Sequence, residues 1–268
     1  MDGEHDDGPE VALAGGGRTA VSRRGGTVLR APGPWSATVV ELLRHLEAVG
    51  FRGAPRAVGT GFDPATGREA LTFIEGGFVH PGPWSEAGAF AVGELLGELH
   101  RATASFRVPD RAVWRPWYGR RLGRRPPVIG HCDAGPWNIV AREGLPVAFI
   151  DWEAAGPVDP VVELAQVCWL NAQLHDDDVA GRVGLGSPDD RAARLALIAD
   201  GYRLGAADRA ELVDTIITVA VQDAADQAVE AAITPDGGDT AALWGLAWRI
   251  RAAAWIQRHR RLLEAALG

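Results

Sequence analysis

The stretch His131-Cys132-Asp133-Ala134-Gly135-Pro136-Trp137-Asn138, followed thirteen residues later by Asp151, constrains this chain more than any other. An apolar run, Val147-Ala148-Phe149-Ile150, delivers the chain into Asp151-Trp152. The residue types suit one kind of chemistry. A hydroxyl that accepts a phosphoryl group needs a carboxylate to orient it and take its proton, and Asp133 can supply one. A nucleoside triphosphate travels with Mg²⁺, a hard cation that prefers oxygen ligands. Asn138 offers a carbonyl oxygen and Asp151 a carboxylate. The step from Asp133 to Asn138 lets one loop hold both acceptor and metal. The plain alternative is a loop with a capping Asp and a turn Asn.

The spacing H-x-D-x-x-x-x-N, then an apolar run ending on Asp, is that of a kinase catalytic loop and its metal-binding Asp. With Asp159-Pro160-Val161-Val162-Glu163-Leu164-Ala165 added, residues 128–165 resemble the aminoglycoside phosphotransferase family. The chain departs from that pattern at Cys132, where Gly is usual, and at Glu163, where Asp is usual. The resemblance implies an α+β, bilobal protein-kinase-like fold with a small β-rich N-lobe and a larger, mostly helical C-lobe. It implies a Mg²⁺-dependent phosphotransferase moving the γ-phosphate of ATP or GTP to a small-molecule hydroxyl. Asp133 would be the acceptor-orienting base, with His131 supporting its loop, and Asn138 and Asp151 the metal ligands.

Composition agrees with that class. With 268 residues and 47% hydrophobic content the chain can bury a sizeable core. No apolar run approaches the ~18 residues of a spanning helix, so no membrane partner is expected. The acidic, polar start is no signal peptide; residues 1–9 read as a disordered tail, 10–76 as the nucleotide-binding lobe and 77–268 as the catalytic and acceptor-binding lobe. Two cysteines, Cys132 and Cys168, make no disulfide framework, and a reduced cytoplasm is the simplest location. The net charge of −8 argues against a nucleic-acid surface. All 27 basic residues are Arg. Residues 1–150 hold 16 acids against 17 Arg and residues 151–268 hold 19 against 10, a polarity that suits a nucleotide near the first half and a cationic acceptor near the second.

Along the chain, residues 11–30 read as strands broken by glycines, with Gly16 and Gly17 free to approach phosphate oxygens. Arg30 closes the third strand, where the family places a cation on the nucleotide phosphates; it binds nucleotide or is an exposed strand-end Arg. Ser36 is a plausible N-cap for a helix with Val39, Leu42, Leu43 and Leu46 at helical spacing. The kinase pattern places a Glu on this helix against the strand cation, and Glu41 is the choice. Residues 55–76 return to strand, and the family's hinge would set Phe73, Ile74 and Glu75 along the base. His100 reads as a packed or capping histidine, and the Arg120, Arg121, Arg124, Arg125 cluster as solvated surface. After an acidic turn at 175–178, residues 188–204, 206–233 and 239–266 read as helices. Trp244, Trp248 and Trp255 form a stripe expected in the core. Asp223, Asp226 and Glu230 share one helical face, either an acidic acceptor pocket as in the family or an ordinary outer face.

Two other classes compete. A nucleotide-binding protein with little or no turnover is motivated by the missing strand Lys and the poorly matched glycine loop. A metal-dependent hydrolase built on His131, Asp133 and Asp151 lacks the further His or carboxylate spacing of such sites.

Overall fold

In the computed structural model, residues 8–13, 20–237 and 239–268 are described. Gly16 and Gly17, and with them the glycine-loop assignment, lie outside the described residues. The chain opens with an antiparallel sheet of order β1-β2-β3-β5-β4, formed by β1 (Val11–Ala12), β2 (Val21–Arg24), β3 (Thr27–Arg30), β4 (Ala57–Phe62) and β5 (Glu69–Thr72). Helix α1 (Ser36–Ala48) joins β3 to β4 and buries Val39, Leu42, Leu43 and Leu46, the stripe its spacing anticipates. Ser36 is not its N-cap. It is the first helical residue, its Oγ accepts from the Gly33 amide at 2.8 Å, and Trp35 holds the cap position without a side-chain bond. Pro34 and Trp35 already turn the chain, so the hydroxyl closes the turn before the helix.

The remainder is mostly helical, so the fold is α+β, with a small sheet-rich part and a larger helical part, as in protein-kinase-like enzymes. Helix α2 (Glu86–Thr103) starts at Ser85, whose side chain accepts from the Gly88 amide. Four short strands follow: β6 (Val128–Gly130), which pairs with β9 (Gly156–Val158), and the β7 (Ile139–Arg142) to β8 (Leu145–Phe149) hairpin. Glu143 and Gly144 both take positive φ at the hairpin tip, where the sequence placed its turn. Helix α3 (Pro160–Asn171) is buried along almost its whole length and is the core of this part. Against it pack α5 (Pro188–Tyr202) and α6 (Ala206–Glu230), with α7 (Thr240–Arg258) on α6 and α8 (Arg260–Leu267) on α5 and α6.

Three readings of this part need correction. The acidic turn is a short helix, α4 (Asp177–Val183), capped by the Asp176 side chain. Asp176 and Asp178 bind Arg251, and Asp177 accepts from Arg191 and the Trp255 indole, so these acids tie α4 to α5 and α7. The last segment breaks at His259 into α7 and α8. The tryptophan stripe splits: Trp255 is fully buried, Trp248 stacks on Trp169 at 5.3 Å, and Trp244 is 48% exposed.

Helices α2 and α5 approach through glycines. A Cβ on Gly93 would press into the Ile198 carbonyl oxygen and come within 2.7 Å of the Tyr202 amide; one on Gly201 would press into the Phe90 carbonyl oxygen. Helix propensity alone favours Gly→Ala by about 1 kcal/mol, whereas overpacking costs about 1–3 kcal/mol. Because the obstructing atoms are backbone, the clash wins. Gly93→Ala should lower the urea-derived unfolding free energy by up to about 2 kcal/mol, and an unchanged or higher midpoint would show that the helices part without cost.

His175 makes a second prediction. Burial, then Arg191 and His80, push its imidazole down from 6.5 to about 3, so it stays neutral in the fold. The unfolded chain takes up that proton below about pH 6.5. Stability is therefore full above that pH and falls as pH drops from 6.5 toward 3, by up to about 1.4 kcal/mol per unit. Between pH 7 and 5, above the range where carboxylates titrate, His175→Gln should flatten the slope of unfolding free energy against pH.

Candidate active site

The loop Gly130–Asn138 is held from beneath by Glu163 on α3. Its carboxylate is fully buried, accepts from the Cys132 amide at 2.6 Å and meets His100 Nε2 at 2.7 Å. Burial opposes its charge, but these partners outweigh burial and hold it below the usual carboxylate range. His100 Nδ1 meets the Tyr202 hydroxyl at 2.8 Å, which is the packed role expected of it. Gly130 is required here, because a Cβ would strike the Glu163 carboxylate. His131 is buried, lies edge-on to Trp152 and bonds the Ile150 carbonyl at 2.9 Å through Nε2. Burial pushes its pKa down, so it serves as a neutral strut between the loop and the chain entering Asp151. The Cys132 thiol is buried and pushed far up, which favours the bland reading of that residue over oxidation sensitivity.

Asn138 Nδ2 donates to the Asp133 carbonyl at 2.9 Å and to Asp133 Oδ2 at 3.0 Å. The Ile150 amide donates to the Asn138 carbonyl at 2.9 Å, which sets Asp151 beside Asn138. Asp151 itself sits in the left-handed region at φ 62°, a conformation that costs a non-glycine residue on the order of 1–3 kcal/mol and clusters at functional sites. Asp133, Asn138 and Asp151 all line one cavity of about 640 Å³, which reaches from Val21 and Arg30 of the sheet to α6 and α7.

Arg30 is buried, not an exposed strand end. Its guanidinium bonds Glu69, the residue opposite it on β5, and donates through Nη1 to Asp151 Oδ1 at 2.6 Å. Nη2 is buried without a partner among the described residues. The expected pairing with Glu41 is not made: Glu41 bonds Arg111 at 2.5 Å and does not line the cavity. The antiparallel register of β3 and β5 brings Glu69 directly across from Arg30, so the acid comes from the sheet instead of the helix.

Phe73, Ile74 and Glu75 also stand outside the cavity lining. Phe73 lies under Arg23, 3.7 Å from its ring centroid, and the Glu75 carbonyl accepts from Arg142 at 2.8 Å. Asp223, Asp226 and Glu230 do line the cavity, so the face they share is not an ordinary outer surface. Asp223 pairs with Arg249 at 2.7 Å, and Glu230 lies 4.0 Å from Arg115.

Sequence reasoning missed Arg115, which bonds Glu153 and reaches toward Glu230, and the aromatic wall of Trp35, Trp117, Tyr118, Trp137 and Trp248. The clustering of Trp114 and Trp117 in an otherwise polar connection was the available signal. It also missed Arg120, which is half-buried rather than solvated. Its guanidinium donates to the carbonyls of Arg115, Ala154, Ala155 and Pro157, clamping the connection against the segment after Asp151. Arg125 is likewise engaged, with Asp159 and Asp208.

An acid, an amide and a second acid converge on a cavity that spans a small sheet and a helical body, and that is the arrangement of a kinase-like phosphotransferase. Residues 19–211 match the phosphotransferase enzyme family, and the chain belongs to it. Over 258 residues it is 61% identical to a trifolitoxin immunity protein of Rhizobium leguminosarum bv. trifolii, covering 96% of this chain and 98% of that protein. The fold is shared with a choline/ethanolamine kinase family protein from Mesorhizobium loti (TM-score 0.61, 18% identity, 98% of this chain and 94% of that one). It is shared too with an amicoumacin kinase solved with AMP-PNP and Ca²⁺ (TM-score 0.63, 16% identity, 93% and 88%) and a microcompartment-associated aminopropanol kinase (0.61, 16%, 94% and 92%).

If Glu69 and not Glu41 orients Arg30, the two acids separate by substitution. Glu69→Gln should weaken nucleotide binding by about tenfold or more, since charge-assisted hydrogen bonds are worth about 1.5–3 kcal/mol, while Glu41→Gln should leave it unchanged. Equal losses in calorimetric titrations with ATP would return the role to α1.

Proposed function

We propose that this protein transfers the γ-phosphoryl group of ATP or GTP to a hydroxyl of a small-molecule toxin and so disarms it. The observation that carries this reading is the Asp133–Asn138 hydrogen bond at 3.0 Å, with Asp151 tied to the same loop and all three on one cavity. The acceptor oxygen would bond the γ-phosphorus as the bridging oxygen of the leaving diphosphate departs, and Asp133 would orient the hydroxyl and receive its proton. The 61% identity to a protein named for immunity to trifolitoxin supports a toxin as acceptor. A cytoplasmic location, where nucleoside triphosphates are plentiful, fits this role; among the described residues no helix is long and apolar enough to cross a membrane.

The donor set fits a nucleotide-borne Mg²⁺ better than a resident ion. Among the described residues no three His, Cys, Asp or Glu side chains gather into a metal site. Asn138 spends its amide nitrogen on Asp133, which leaves Oδ1 outside those bonds, and Asp151 has a second carboxylate oxygen beyond Arg30. Mg²⁺ takes one or two protein oxygens together with phosphates and waters, and Asn138 and Asp151 would hold it. When bound, it would neutralise the β- and γ-phosphate oxygens. Arg30, with its unpartnered Nη2, would steady the phosphates. Phe73, Ile74 and Glu75 would read the base beyond the cavity, and Asp223, Asp226 and Glu230 would face the acceptor.

One observation favours a second reading, nucleotide binding with little turnover: Arg30 already occupies the Asp151 carboxylate at 2.6 Å. Acceptor-dependent ADP or GDP release separates the two. The purified protein should be assayed with Mg-ATP and Mg-GTP against trifolitoxin, aminoglycosides, aminoalcohols and sugars. Asp133→Asn, nearly isosteric, should keep the melting curve and nucleotide affinity while losing roughly 10²–10⁴-fold in turnover. Wild-type turnover by that variant would refute the mechanism.

A further inference from the structure

The acceptor end of the cavity has an unusual balance of groups. Six carboxylates line the cavity as a whole, but three arginines line it as well. Asp223 is held by Arg249 at 2.7 Å, Asp151 by Arg30 at 2.6 Å and Glu153 by Arg115, which also lies 4.0 Å from Glu230. A polycation entering here would have to displace guanidinium groups the chain has already placed on those acids. The five aromatic side chains offer the opposite. Trp248 is backed by Trp169 at an interplanar angle of 29°, and Trp117 rests on Tyr118 with centroids 4.8 Å apart. Trp137 is 39% exposed in the loop between Asp133 and Asn138, with the His80 ring edge-on to it at 5.7 Å. Arg115 lies 5.3 Å from the Trp35 ring, so even this cation is spent on the wall. The indole-bearing side chains at the α6–α7 end of this cavity suit a flat, mostly apolar group.

We propose that the acceptor carries a planar aromatic or heteroaromatic group beside its hydroxyl, with at most one cationic centre, and that Arg115 and Arg249 exclude polycationic aminosugars by holding Glu230 and Asp223. This deepens the phosphotransfer reading and rests on it only in treating the occupant as the acceptor.

The test reads binding, not turnover. Isothermal titration of the full chain with phenylserinol, its ringless counterpart serinol, choline and kanamycin should rank phenylserinol first, by at least about tenfold over serinol. Trp137→Ala, at an exposed position that should not disturb folding, removes that preference and leaves serinol binding unchanged. Trp248→Leu is a second probe of the same wall. Arg115→Met, which removes the Arg115 contacts of Glu153 and Glu230, raises kanamycin affinity by about two- to fivefold, on the scale of an exposed ion pair made or lost. No preference for phenylserinol, whether because serinol, choline or kanamycin binds as well or because none of the four binds, overturns the proposal. So does an Arg115→Met variant with unimproved kanamycin binding. Absence of turnover with ATP and GTP, alongside a retained phenylserinol preference, counts against phosphotransfer and leaves the ligand class standing.

Discussion

The site depends on one buried carboxylate. Glu163 lies at zero exposure in the centre of the helical body, accepts from the Cys132 backbone amide and pairs with His100. A buried charge is costly unless it is paired and hydrogen-bonded, and here each partner belongs to a different element: α3 supplies the acid, the catalytic loop the amide and α2 the imidazole. The electrostatic demand of Glu163 thus forces three elements into one arrangement. Gly130 concedes the space, and His131, fixed by the Ile150 carbonyl, extends the constraint to Asp151.

A second layer of charge sits above this one. Glu69, Arg30, Glu153, Arg115 and Glu230 form a chain of alternating sign from the sheet to α6, with Asp151 a further acid on Arg30. With no Lys in the protein, every link is a guanidinium, whose planar fork can bond two carboxylates at once where an ammonium would act as a point charge. This allows Arg30 to serve Glu69 and Asp151 together, and Arg115 to serve Glu153 while reaching Glu230. Nucleotide phosphates and a metal would have to compete with those bonds. The resting ion pair at Asp151 is therefore consistent with both a working kinase and a slow one, and turnover is the measurement that separates them.

The aromatic wall alters what the acidic helix face means. Read alone, Asp223, Asp226 and Glu230 suggest an attraction for cations. Set beside Arg249 and Arg115, the same residues leave less uncompensated charge, and the tryptophans become the larger contributors to recognition. The high similarity to a trifolitoxin immunity protein and the fold shared with kinases of varied small alcohols are both compatible with such a pocket.

Much of the candidate site's framework was legible in the chain. Asp133, Asn138 and Asp151 lie within one loop and the hairpin after it, so their spacing fixes their proximity, and the β7–β8 turn and the α1 and α2 apolar stripes follow from local periodicity. The class of the protein could be reached from these residues. Only the tertiary structure decided the rest, because those partners meet across large sequence separations. Glu69, not Glu41, faces Arg30 through strand register, which helix spacing cannot reveal. Arg120 is a carbonyl clamp rather than a solvated cation because a distant segment turns back over it. Trp35, Trp117, Trp137 and Trp248 come from four separate segments and become a wall only once packing brings those segments together.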